Sequence, residues 1–197
     1  LGLCGLLGMG KVWGLAQPRL RAGGGRTYDL VILDAPATGH GTALLAAPRT
    51  FARAAQVGPI ARQGTRIHET LVDERLTGVL AVSTPHEPAV TETLETRVRL
   101  GELGMHPGRV VVNALRPRRF APRDLEPLRA ALAAGPPADE RGALELALAE
   151  DRRVAAERRQ VRRLRRALGE RPLELPFVYA EEIGPSELGR LGDGLAA

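Results

Sequence analysis

Apolar residues recur along the chain in two rhythms. Short unbroken runs occur at Leu30–Leu33, in TGVLAVSTP from Thr77 to Pro85, and in GRVVVNAL from Gly108 to Leu115. Runs without alternation, bounded by Gly or Pro, predict strands covered on both faces, as in parallel sheets. A fourth run, RPLELPFV from Arg171 to Val178, is weaker, and Pro176 predicts its end. The second rhythm is helical. EPAVTETLETRVRLGELG sets Val90, Leu94, Val98 and Leu103 on one stripe and stops at Gly104, while PRDLEPLRAALAAG stops at Gly135. Residues 138–170 predict one long helix, residues 48–76 a short helical insertion, and LGLCGLLGMGKVWGLA a short amphipathic helix. Strands alternating with helices of this length predict a single α/β domain over residues 1–197, with a mostly parallel sheet and flanking helices. No internal repeat is visible.

With 197 residues the chain can bury a substantial core, and 3% aromatic content makes that core aliphatic. A single cysteine, Cys4, excludes an internal disulfide and a cysteine-only metal cage, and fits a reducing compartment. The apolar opening is too short and too glycine-broken to span a bilayer, so a cytoplasmic protein without stable membrane insertion is expected. Arginine supplies all but one of the 28 basic residues, Lys11 being the other. From Asp151 to Arg171 nine Arg stand against one Asp and two Glu, a surplus of +6 where the whole chain carries +5. Val154, Val161, Leu164 and Leu168 make an apolar stripe there, with Arg on the remaining faces and no aromatics. That pattern reads as a solvated helix face, so no nucleic-acid partner is expected.

Candidate chemistry gathers at strand ends. Asp34 follows Leu30–Leu33 directly, at the carboxyl end where open α/β sheets bind ligands. A carboxylate there can hold a metal ion or its water, or cap a turn with Pro36 and Gly39, and the residues alone leave both open. GLLGMGKV, Gly5 to Val12, has the glycine and lysine spacing of a phosphate loop. However, Val12 stands where a magnesium-binding hydroxyl belongs, and no strand precedes it. A helix is the better expectation. By residue type, Asn113 reads as a turn residue and Phe177 as a core residue.

Taken in order, the pieces resemble a known family. DAPATGH, Asp34 to His40, followed by GTALLAAP, is similar to the second switch of the ArsA-type anion-transporting ATPases, which include the ATPases that deliver tail-anchored membrane proteins. Asp34, Thr38, Gly39 and His40 keep the motif's register, with the proline one place early at Pro36. STPHEPAVTETLETRVRLGELGMHPGRVVVNAL and LPFVYAEEIGPSELGRL resemble later segments of that family, so the likeness covers residues 28–115 and about 171–195. It implies the C-terminal portion of a P-loop NTPase that binds and hydrolyses ATP with magnesium, working as a homodimer or pseudodimer on a protein client. It also implies that Asp34 holds the magnesium's water and that Thr38, Gly39 and His40 form the switch that senses the γ-phosphate. Asn113 would recognise adenine, with Pro176 and Phe177 lining the base pocket.

The family's phosphate loop, signature lysine and first switch lie ahead of the second switch, and their counterparts are not found before Tyr28. The chain is therefore expected to be part of a longer ATPase, inactive alone, or else a non-catalytic interaction module descended from one. Arsenite would require several thiolates, and a hydrophobic helix would require a large Met-rich groove. Cys4 alone, and a Met-free stretch from Pro48 to Thr77, support neither client.

Overall fold

The computed structural model describes residues 2–17, 28–36 and 38–196. Its elements are, in order, α1 (Gly2–Ala16), α2 (Thr38–Ala55), α3 (Pro59–Val72), β1 (Ala81–Ser83), α4 (Glu87–Glu102), β2 (Val110–Leu115), α5 (Pro122–Ala133), α6 (Ala138–Leu168), β3 (Leu173–Pro176) and α7 (Pro185–Ala196). The chain divides into two compact units, Leu1–Val79 with Glu95–Gly108, and Leu80–Leu94 with Arg109–Ala197. Among the described residues no helix is long and apolar enough to cross a membrane.

The first unit is helical. α1, α2 and α3 pack on one another and bury Met9, Ala47, Ala61 and Ile67. α3 approaches α2 closely because Gly64 has no side chain: a Cβ there would lie 2.7 Å from the Pro48 carbonyl oxygen. Trp13 donates its indole N–H to the Thr70 hydroxyl at 3.0 Å, which satisfies the polar end of a large apolar group. GLLGMGKV lies inside α1, so its backbone amides are spent on helical hydrogen bonds and none cradles a phosphate.

The second unit holds a parallel sheet in the order β1-β2-β3. Val110, Val111 and Val112 are all buried, as expected of a central strand covered on both faces. Val110, Val112 and Leu115 pack with Val90 of α4 and with Val161 and Leu164 of α6. α5 lies against α6, and α7 against β3. α6 ends as its sequence directs, with Gly169 in the left-handed region at φ 75° and its N–H on the Arg165 carbonyl.

Two expectations are corrected. The run Leu30–Leu33 forms no strand: Leu30 is 75% and Ile32 82% exposed, and no described strand pairs with them. β-propensity alone does not make a strand, which needs a neighbour to take its backbone hydrogen bonds. On α4 the buried positions are Val90, Thr93 and Leu100, whereas Val98 is 64% exposed. Thr93 can turn inward because its hydroxyl donates to the Ala89 carbonyl at 2.8 Å, and this rotates the buried stripe away from Val98.

One polar interaction stands in the second unit's aliphatic interior. Glu157 of α6 is 2% exposed and accepts from both the backbone N–H of Arg116, at 3.0 Å, and its guanidinium. Arg116 also lies 3.7 Å from Glu150, about two turns earlier on the helix. Glu157→Ala takes from Arg116 its closest carboxylate and leaves it only Glu150 at 3.7 Å, so it should destabilise the protein by about 1–3 kcal/mol. The pair Glu157→Leu with Arg116→Met should recover most of that loss, both measured by urea unfolding.

Candidate functional site

In a parallel sheet all carboxyl ends lie on one edge, here Ser83, Leu115 and Pro176; β2 runs two residues past Asn113, which was expected to end it. Ser83 is buried, and its hydroxyl donates to the Thr84 carbonyl at 3.0 Å. β2 carries one extra residue against β3: Val112 pairs with Glu174 and Leu115 with Pro176, so Asn113 and Ala114 share a bulge. Ala114 sits at φ 60°, a region that favours glycine, and the Asn113 side-chain oxygen accepts its N–H at 2.8 Å. The bulge therefore fixes Asn113 by its own amide oxygen and leaves the side-chain NH₂ as a donor without a partner among the described residues. Bulges and left-handed non-glycine residues concentrate where a fold re-aims a side chain for use.

Immediately beyond β3, Phe177 donates its N–H to the Leu115 carbonyl at 3.0 Å, so the chain stays paired past the strand. The Phe177 and Tyr179 rings lie 4.8 Å apart, tilted by 56°. The Arg116 guanidinium carbon sits 5.0 Å from the Phe177 ring centre, and that of Arg119 sits 4.9 Å from Tyr179. The result is a cluster in which two cations flank two rings just past the end of β3. It offers flat apolar surface and fixed positive charge within one small area. Of the residues expected here, Asn113 lies in the β2 bulge, while Pro176 pairs with Leu115 and Phe177 bonds to it. Arg116, Arg119 and Tyr179 escaped the sequence reading. The signal for the two arginines was RPRRF, which follows directly on the VVVNAL strand and its asparagine.

Asp34, Thr38, Gly39 and His40 belong to the other unit. Asp34 is exposed, and Thr38 opens α2, with Gly39 and His40 exposed in its first turn. Gly41 is required sterically, because a Cβ there would meet the Pro36 carbonyl oxygen at 2.5 Å. α2 opens at Thr38 and bears no acidic residue in its first turn, a setting that favours anions. Among the described residues no group of three or more His, Cys, Asp or Glu is arranged to hold a metal ion.

The first unit also contains two open hollows, of about 500 and about 530 Å³, and neither is lined by an expected site residue. The larger has Arg49, His68, Glu74 and His106 on its walls. His68 Nδ1 is buried without a partner, and burial, with the Arg49 charge, lowers the His68 pKa below 6.5.

No protein-family model matches the chain, and no curated protein matches it either.

Two outcomes follow from these positions. Ala114→Gly removes the left-handed strain and should stabilise the protein by about 1 kcal/mol, raising Tm by about 2–4 °C in calorimetry. Because the folded protein resists protonating His68, the stability present above pH 6.5 should fall as pH drops through the lowered folded value. Urea unfolding at pH 7.5 and pH 5.5 should show that loss, and His68→Gln should make it smaller.

Proposed function

We propose that this chain is the C-terminal portion of an ArsA-like ATPase, binding MgATP and using the Asp34–His40 stretch to couple nucleotide state to a client or to a second subunit. The observation that supports this reading is that Asn113, held in the β2 bulge, and Pro176 with Phe177, paired to Leu115, lie on neighbouring parallel strands. A side-chain amide with a free donor and a nearby pair of rings would suit a purine, which needs one polar edge and one flat apolar face. Arg116 and Arg119 add positive charge beside the rings, which suits an anionic ligand.

Asp34 is suited to magnesium held through water, since a hydrated magnesium ion asks for only one or two carboxylates. Such an ion would neutralise charge on the β- and γ-phosphate oxygens. The chain's own contribution at Gly39 and His40 would be backbone N–H groups at the start of α2, and Gly39 allows that turn to change conformation cheaply.

One observation favours the second reading, a nucleotide-responsive module without turnover: GLLGMGKV is helical, and no described residues form a phosphate loop. Electrostatic stabilisation of phosphoryl transfer relies on such a loop and its lysine. The chain by itself should accordingly bind nucleotide and turn over none.

Titration with a fluorescent ATP analogue tests both readings. Asn113→Ala and Phe177→Ala should each weaken ATP and ADP alike, by about tenfold, a loss of about 1.4 kcal/mol. Asp34→Asn should weaken only the magnesium-dependent part of ATP binding. Failure of the parent chain to bind any adenine nucleotide at millimolar concentration would sink the nucleotide reading.

A further inference from the structure

The arginines of α6 are not distributed as the sequence suggested. At 3.6 residues per turn, Arg152, Arg159, Arg163 and Arg166 fall within a sector of about 60°, with Arg162 at its margin. That sector lies opposite the buried residues Val154, Glu157, Val161 and Leu164. Two arginines outside it are engaged: Arg153 with Glu150 at 3.3 Å and Arg158 with Glu174 at 2.8 Å. Arg165, exposed, also lies outside it. Within the sector, Arg163 donates to the Thr91 hydroxyl at 2.9 Å, tying α6 to α4. Arg152, Arg159, Arg162 and Arg166 are exposed and have no partner among the described residues. Pairing thus quenches two of the three arginines that point elsewhere and leaves a line of free guanidinium groups along one side of a helix.

The line is about 21 Å long, from Arg152 to Arg166 at about 1.5 Å per residue. Between Arg152 and Arg159 the same side presents only Ala155 and Ala156, so no large side chain holds a partner away. Glu145 occupies the same side ahead of Arg152 and limits the row there. The row itself contributes no aromatic, amide or hydroxyl group, so it can read charge and shape but not bases.

We propose that this face binds the phosphate backbone of a nucleic-acid duplex without sequence preference. A duplex presents one negative charge per about 1.7 Å of axis, a density that a straight row of guanidinium groups can meet along its whole length. Guanidinium also matches phosphate geometry with paired hydrogen bonds. An anionic membrane is the poorer occupant, because peripheral helices hold to bilayers by an apolar face, and the apolar face of α6 is buried in the core.

The test uses the full chain and a labelled 20-base-pair DNA duplex of mixed sequence, followed by fluorescence anisotropy between 50 and 200 mM salt. Four phosphate contacts predict a plot of log K against log salt with slope about −3.6. Replacing Arg152, Arg159, Arg162 and Arg166 together by Gln should bring the slope near zero with the melting temperature unchanged, since none of the four supports the fold. Replacing the same four by Lys should keep most of the slope. A parent slope shallower than about −1, or equal affinity in the Gln variant, overturns the proposal. So does tighter binding to phosphatidylserine vesicles or to polyglutamate than to the duplex.

Discussion

A single buried carboxylate determines how α6 meets the sheet. The contact between α6 and β2 is otherwise made by Val and Leu side chains, which tolerate sliding because aliphatic contacts are non-directional. Glu157 does not tolerate it: only the Arg116 N–H and guanidinium satisfy it, and both are fixed to the residue that follows β2. A shift of one helical turn would bury the charge against valines, at a cost of several kcal/mol. The pair therefore sets register, a role that greater hydrophobic area could not perform.

The same arginine links the scaffold to the candidate site. Its guanidinium bonds Glu157 and, 5.0 Å away, faces the Phe177 ring. Phe177 is in turn held to Leu115 through its backbone. The aromatic edge and the helix register are thus parts of one connected network, in which Arg116 bonds one partner and stacks on another. A ligand lying on those rings would press against a cation that cannot retreat without leaving Glu157 only the Arg116 backbone N–H.

Much of the architecture was legible in the sequence. Three of the four apolar runs became strands, and their parallel sense followed from the intervening helices. Glycines at 104, 135 and 169 all take positive φ after their helices, as C-terminal signals do. Leu30–Leu33 failed because a strand is a relation between two segments, and composition describes only one of them. At the site, Asn113, Pro176 and Phe177 were named only through the family resemblance, and the bulge was not visible. Ala114 gave no hint of left-handed backbone, since a Cβ makes that conformation unfavourable and glycine is its usual occupant. Arg116 was hidden by abundance: among so many arginines, one with a buried partner looks like any other. Its pairing depends on Glu157, forty-one positions away, a separation no local pattern can convey.

β1 gives the sheet a direction of growth. On one side, β3 packs against α7, and its Glu174 pairs with Arg158 at 2.8 Å. On the other, β1 has β2 as its only described neighbour, and Val82 stands exposed on it. An open strand edge is a template, because its amides and carbonyls are already spaced to accept another backbone. Any strand added there in parallel would end beside Ser83, extending the carboxyl edge sideways while leaving the Asn113–Phe177 corner untouched. The two flanks differ in their surroundings: one carries α7 and the aromatic corner, and at the other an added strand would bring further groups to that edge.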